Sequence, residues 1–402
     1  MNTVTSEDAE AEFVQSWRDH ENRVLLSHLR RQRADGPEPE QHKPAPDEPA
    51  LAVPPSGPSI AIFDRAALLK QVRLADGDPS AEDGAPVASV SSDEQPRLAQ
   101  LRALASAEPL RPLVVADDGT RDRLTRLREE CPGFVEVIAL VERAAALSAM
   151  AGTGIVIPPI LLVGPPGLGK THFSRRLAAA LGVEQHAHSC ATNSDAQALF
   201  VGHPPTWRGA RMGVVTEAML GGETGNPLIV LDEVDKCMTH SSEKPFHSLL
   251  TLLEPENACA LVDEYLRVPF DLSRCLILAT ANDIDVLPSF IQDRFLVVTI
   301  APPDGGMLRA IASRIAAEII AVHGDAFASP DDAVVARLAT TNPRGIRRLV
   351  TLALGFAAEA GRRYLVTADI GAAEAILLGG MEGARRPIGF VRPKRKGEEE
   401  RE

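Results

Sequence analysis

Paired cysteines are missing from this 402-residue chain. Its five cysteines (Cys131, Cys190, Cys237, Cys259 and Cys275) are odd in number and contain no CxxC pair. That excludes a disulfide framework and reads as reduced, buried thiols of a cytosolic protein. Excess positive charge is missing too: the formal net charge is −13, which argues against a protein that coats nucleic acid, although a local basic groove stays compatible with it. No apolar run approaches the roughly 20 residues that cross a bilayer. The polar, acidic start MNTVTSEDAEAEF is no signal peptide. These absences predict a soluble, cytoplasmic chain with no membrane partner. Aromatics are scarce as well, at 4% with two tryptophans, so the setting of each tryptophan is informative.

What is present is unevenly distributed. The 31 prolines and 30 glycines crowd into particular stretches. Residues 1–117 read as a loosely ordered arm. Its first segment, EFVQSWRDHENRVLLSHLRRQR, carries Val14, Trp17, Val24, Leu25 and Leu29 at near-helical spacing. Two proline-rich, polar linkers flank a second short helix around IFDRAALLKQVRL, and short helices on such linkers are expected to dock weakly or stay disordered. From residue 118 the texture changes. Short apolar runs at 160–163, 228–231, 276–280 and 296–300 alternate with helical segments, the pattern of a parallel sheet buried on both faces. After Pro302 the chain reads as all helical, and residues 381–402 form a charged tail. The expected organisation is therefore an arm over 1–117, a doubly wound α/β domain over 118–301, a helical lid over 302–380 and a tail over 381–402.

The strongest motif is ILLVGPPGLGKTHFSRRLAAAL. Gly164, Gly167, Gly169, Lys170 and Thr171 fit G-x-x-x-x-G-K-[ST], the phosphate-binding loop, set between an apolar strand and a helix. Glycines let backbone amides turn around phosphate oxygens, and the helix that follows presents its positive end. The candidate nucleotide-binding set thus runs from Gly164 through Pro165, Pro166, Gly167, Leu168, Gly169 and Lys170 to Thr171 and His172. Lys170 supplies a point charge for the β- and γ-phosphates of ATP, and the Thr171 hydroxyl is a ligand for Mg²⁺.

Downstream, PLIVLDEVDK ends a buried strand in Asp232 and Glu233, at the sheet edge where ligands of such folds bind. Asp232 is the second Mg²⁺-holding residue, and Glu233 is placed to orient and deprotonate the attacking water. The strand LILATAND ends in Asn282, a polar amide able to position that water. Arg294 and Arg344 complete the set, since arginine suits the charge that develops on a transferring phosphoryl group.

With these elements in order, residues 118–380 resemble an AAA+ ATPase, and more narrowly the ATPase module of Lon-type ATP-dependent proteases. GHPPTWRGARMG (202–213) is similar to the Lon stretch that begins Gly-His and runs through an aromatic to Gly-x-x-x-Gly. LLEPENACALVDEYLRVPFDLS (252–273) resembles the Lon segment between the acidic strand and the amide strand. The resemblance implies a P-loop NTPase fold with a helical lid, a homo-oligomeric, usually hexameric ring, and a protein substrate. It makes Arg294 an arginine finger acting on the neighbouring subunit's ATP, and Arg344 a lid arginine sensing nucleotide in its own subunit. Trp207 falls at the pore-loop aromatic that grips a translocating chain, as against a tryptophan packed under its own loop. Arg208 beside it departs from the family's usual aliphatic residue. No stretch matches the family's peptidase domain with its Ser/Lys pair, nor its β-rich N-terminal domain. The expectation is a Lon-like motor without its own protease, which leaves room for a separate protease or adaptor as partner.

Other signals weigh less. His186, His188 and Cys190 in HAHSC alternate along a strand, a spacing awkward for one zinc ion, so a partly buried strand is expected there. Two competing functions remain: a nucleic-acid motor or loader, and a nucleotide-switched binding protein with little turnover. The acidic charge and the Lon-like stretches weigh against the first. Asp232, Glu233, Asn282 and Arg294 weigh against the second.

Overall fold

The computed structural model describes residues 57–76, 94–192, 196–237 and 246–383. The amphipathic segment around Trp17 and residues 384–402 of the charged tail lie outside them.

Strand β1 (Ser59–Ala61) pairs antiparallel with β2 (Leu110–Pro112), and helices α1 (Arg65–Asp76) and α2 (Gln95–Ala105) come between them in the chain. Of the expected loose arm, the described residues 57–76 and 94–112 are packed on the core. Ile62, Leu68 and Leu101 are fully buried, in one apolar cluster with the sheet residues Ile229 and Ile277. The physical reason is the payload carried by a few well-spaced residues. Each buried Leu or Ile contributes about 1.5–3 kcal/mol, and these contacts favour docking of the two short helices on the core.

Asp117 opens α3 (Asp118–Glu130) with a capping box: its carboxylate accepts the Thr120 amide at 2.7 Å, and the Thr120 hydroxyl accepts the Asp117 amide at 3.3 Å. Pro132 and Gly133 separate α3 from α4 (Val135–Ala151), as their helix-breaking character dictates. From there strands and helices alternate. In chain order they are β3 (Ile160–Val163), α5 (Lys170–Leu181), β4 (Gln185–Ser189), α6 (Ala196–Val201), α7 (Val214–Gly221), β5 (Leu228–Asp232), α8 (His247–Leu253) and α9 (Pro255–Ala258). Next come the antiparallel hairpin β6 (Leu261–Asp263) and β7 (Val268–Phe270), then β8 (Leu276–Ala281), α10 (Ser289–Gln292) and β9 (Leu296–Thr299).

Five of these strands form one all-parallel sheet in the order β4-β5-β8-β3-β9. The four apolar runs of the sequence are β3, β5, β8 and β9, and the HAHSC segment supplies β4. Alternate residues face opposite cores. Leu161, Ile229 and Ile277 enter one, while Ile160, Leu162, Val230 and Leu278 enter the other, so both faces of the central strands β5, β8 and β3 are covered and these strands read as unbroken apolar runs.

The helical part follows as α11 (Gly305–Val322), α12 (Asp332–Leu338), α13 (Pro343–Glu359) and α14 (Thr367–Gly383), with its own apolar core. Asp304, Asp331 and Asn342 cap the first three, each side chain accepting a first-turn amide. Arg362 grips Asp369 with two hydrogen bonds of 2.8 and 2.6 Å, tying the end of α13 to α14. No described helix is long and apolar enough to cross a membrane.

If α2 is part of the folded core, Leu101→Ala lowers unfolding free energy by about 2–5 kcal/mol in chemical denaturation. A loosely tethered helix would leave the transition unmoved.

Candidate functional site

The loop after β3 must reverse direction tightly and hand the chain to α5. Gly167 (φ 88°) and Gly169 (φ 90°) adopt left-handed backbone there, and a Cβ on Gly167 would also press on the Asn342 side chain at 3.1 Å. That contact brings the loop against the N-terminus of α13. The loop, the ends of β5 and β8, the turn before α4 and the helices α11 and α13 line a cleft of about 660 Å³.

Lys170, at the first position of α5, is almost wholly buried. Its ammonium donates to the Gly164 carbonyl, to the Ala281 carbonyl at 3.1 Å and to Asn282 Oδ1 at 3.2 Å. Burial lowers its pKa, and the charges of Asp232, Asp235 and Glu233 oppose that shift. The Thr171 hydroxyl donates to Asp232 Oδ2 at 3.2 Å. Two hard oxygens from different elements thus meet at the cleft wall, the donor type that Mg²⁺ prefers.

β8 lies between β3 and β5 in the sheet, so its C-terminal end sits between the phosphate-type loop and the acid pair. The buried Thr280 hydroxyl donates to Asp232 Oδ1 at 2.5 Å and accepts the Glu233 amide at 3.0 Å. Glu233 itself is in left-handed backbone, φ 58° and ψ 51°. A non-glycine residue pays about 1–2 kcal/mol for that conformation, and the Thr280 bond helps to hold it. Asn282 takes its place through its amide, which donates to Asp235 Oδ2 at 3.1 Å, and its side chain reaches Glu233 Oε1 at 3.5 Å. Lys236 pairs with Glu233 Oε1 at 2.8 Å and, as the largest influence, holds the Glu233 carboxyl below its usual pKa.

The residues expected from sequence therefore divide. Pro166 through His172, Asp232, Glu233, Asn282 and Arg344 line one cleft, and the carbonyls of Gly164 and Pro165 hold Lys170 from behind. Arg344 projects from the first turn of α13, and burial in the cleft lowers the pKa of His172. Arg294 lies elsewhere, bonded to Glu254 Oε1 and to the Phe290 carbonyl, both at 3.0 Å. Trp207 and Arg208 are on the α6–α7 loop, both exposed, with the Trp207 ring 5.9 Å from that of His203.

Thr280, Asp235 and Lys236 were not singled out by sequence. The alternation along LILATA puts Thr280 at the right strand end, but only the β5–β8 register makes it Asp232's neighbour. The cleft's apolar end, formed by Pro132, Phe134, Met307 and Ile311, was also missed, because it combines two distant helical segments.

Comparison with known proteins agrees with this geometry. Residues 160–302 match the model of the AAA family, the ATPase family associated with various cellular activities. Over 142 residues the chain is 40% identical to Lon protease 1 of Syntrophotalea carbinolica, a match covering 35% of this chain and 17% of that protein. Over 200 residues it is 34% identical to the mitochondrial Lon protease homolog of Aspergillus fumigatus, covering 50% and 18%. The chain thus spans less than a fifth of the length of these relatives. Among solved structures it is similar to the RuvB Holliday junction branch migration motor of Thermotoga maritima, with 17% identity, a TM-score of 0.41 and coverage of 65% and 70%. Residues 160–302 are an AAA ATPase domain, and the sequence relatives of the chain include Lon proteases.

Proposed function

We propose that this protein hydrolyses ATP to remodel, unfold or translocate protein substrates, working as a homo-oligomeric ring of the hexameric kind. The observation that carries the reading is convergence. A buried lysine, an acid pair, a strand-end amide and a helix-start arginine, drawn from four separate elements, face one cleft large enough for a nucleotide. The five free cysteines fit work in a reducing cytoplasm.

In this reading the adenine base enters the apolar end beside Phe134 and Met307, and the triphosphate follows the loop amides to Lys170. Thr171 and Asp232 would hold Mg²⁺, which when bound neutralises charge shared by the β- and γ-phosphates. Lys170 clamps the phosphates. Glu233, kept ionised by Lys236, accepts a hydrogen bond from the attacking water and then its proton, while Asn282 fixes that water's position. Arg344 contacts phosphate within its own subunit. Arg294, which lies away from this cleft, reaches the ATP of a neighbouring subunit, where a guanidinium stabilises charge developing on the γ-phosphate. Trp207 grips polypeptide in the central pore, with Arg208 beside it tuning substrate preference.

Lys170→Ala abolishes Mg²⁺-dependent ATP hydrolysis, and Glu233→Gln still binds ATP but turns over at least about 10²-fold more slowly in a phosphate-release assay. Parental turnover by the Gln variant would remove Glu233 from its role. The same variant trapped with ATP in its native cells is expected to retain unfolded polypeptide; nucleic acid in its place would make the protein a nucleic-acid motor.

Hydrolysis requires assembly if Arg294 acts across subunits. Arg294→Ala and Lys170→Ala proteins, each inactive alone, regain partial activity on mixing, because some interfaces then hold an intact loop and an intact finger. Co-assembled mixtures that stay inactive at every ratio rule out the trans role.

Trp207→Ala keeps the melting temperature of the parent and loses stimulation of ATPase by an unfolded polypeptide. A tryptophan packed in a core would instead cost about 3–5 kcal/mol on truncation, visible as a large drop in melting temperature.

A further inference from the structure

The α6–α7 loop that carries Trp207 is closed at its base and anchored at both ends to one turn. His203 N–H donates to the Arg211 carbonyl at 2.9 Å, bringing the two arms together. Gly202 and Gly213 permit this approach: a Cβ on Gly213 would lie 2.1 Å from the Phe200 carbonyl oxygen, and one on Gly202 would lie 2.9 Å from the Gly213 nitrogen. At one end of the loop the Val201 carbonyl accepts the Glu264 amide at 2.7 Å. At the other the Gly213 amide donates to Asp263 Oδ2 at 2.8 Å. Residues 263 and 264 begin the turn of the β6–β7 hairpin.

The far side of that turn is held by α2. Arg97, 4% exposed, donates through Nε to the Tyr265 carbonyl at 2.6 Å and through an Nη to the Leu266 carbonyl at 3.0 Å. Asp263, fully buried, accepts the Tyr265 and Leu266 amides at 3.1 and 2.9 Å on the same oxygen, Oδ1. The amides of residues 265 and 266 are therefore fixed by Asp263 and their carbonyls by Arg97. A second contact backs this one. Phe63, just after β1, bridges antiparallel to Phe270 on β7, and the Asp271 amide donates to the Ile62 carbonyl at 3.0 Å. The turn also carries strain, since Arg267 sits in left-handed backbone at φ 58°, a conformation that persists only where the surroundings over-determine it.

We infer that Arg97 and Asp263 are positioning residues for substrate engagement: the N-terminal helix α2 sets the height and rigidity of the Trp207 loop through the β6–β7 turn. The inference rests on the proposed polypeptide-gripping role of Trp207 for its functional consequence, but not for its structural one. Neither residue lines the nucleotide cleft. The effect of loosening them therefore falls on the grip and not on phosphate chemistry, because a side chain that must meet a moving substrate loses effectiveness when its supporting contacts slacken.

The test uses the full chain with Trp17→Phe, so that fluorescence reports Trp207 alone. Arg97→Ala removes both donors. Arg97→Lys keeps the charge and most of the stem but loses the fork that spans two carbonyls. Three quantities are read: acrylamide quenching of Trp207, the KM for a reduced, carboxymethylated polypeptide in stimulated ATPase, and basal ATPase with melting temperature as the control for folding. The expected result is stronger quenching and a KM raised about tenfold for the Ala variant, intermediate values for Lys, and parental basal ATPase for both. Quenching and KM unchanged in both variants overturn the inference. So does a parallel loss of basal ATPase and melting temperature in both, which would make Arg97 a general core residue. If the parent shows no stimulation by polypeptide at all, the gripping role fails, and the quenching arm still decides whether α2 holds the loop.

Discussion

Parallel pairing of β5, β8 and β3 is the constraint on which the rest of the site depends. Pairing Ile160 with Leu278 and Leu228 with Leu276 brings three strand ends to one edge of the sheet. There the chain leaves the ladder, and backbone amides and polar side chains become free to meet a ligand. Both faces of these strands are closed by apolar cores, so a slip by one residue would turn every core residue toward the wrong layer. The hydrophobic layers thereby fix where Asp232 and Asn282 stand relative to Lys170.

Within that edge, Thr280 does more than fill a strand position. One hydroxyl both donates to Asp232 and accepts from the Glu233 amide, so the two acids are aimed by one buried group of the central strand. The left-handed backbone of Glu233 turns its side chain back over the strand ends instead of continuing the strand direction. Asn282 is drawn in from its own strand end by the hydrogen bond that its backbone amide donates to Asp235 Oδ2. These hydrogen bonds, together with the Lys236–Glu233 pair at 2.8 Å, hold the acids in place without reorganisation.

A different logic governs the loop that carries Trp207. Ala210 and Met212 pack on the core, and hydrogen bonds at the loop's base join it to a hairpin turn pinned between Asp263 and Arg97. The bonds made by Asp263 to the loop and by Arg97 to the turn tie together segments 50 to 169 residues apart in the chain. Residues 57–76 and 94–112 thereby become a supporting element of the α/β domain.

The sequence by itself determined the parts whose chemistry is local. The strand–glycine loop–helix around Lys170 was legible because every device in it, from apolar run to left-handed glycines to helix start, lies within about 20 consecutive residues. The acid pair and Asn282 were legible because each ends an apolar run long enough to be a buried strand. The three capped lid helices carry their Asp or Asn at the start. Thr280 escaped notice because a threonine in a strand is ordinary until its neighbour is known, and register is a long-range property. Arg97 escaped for a similar reason: an arginine on a short helix reads as a solvated surface charge, and only packing against a turn 168 residues away gives it two carbonyls to satisfy. Local propensity is written in adjacent residues. The burial that turns a surface arginine into a clamp, or a loose arm into part of a core, exists only after distant segments have been brought together.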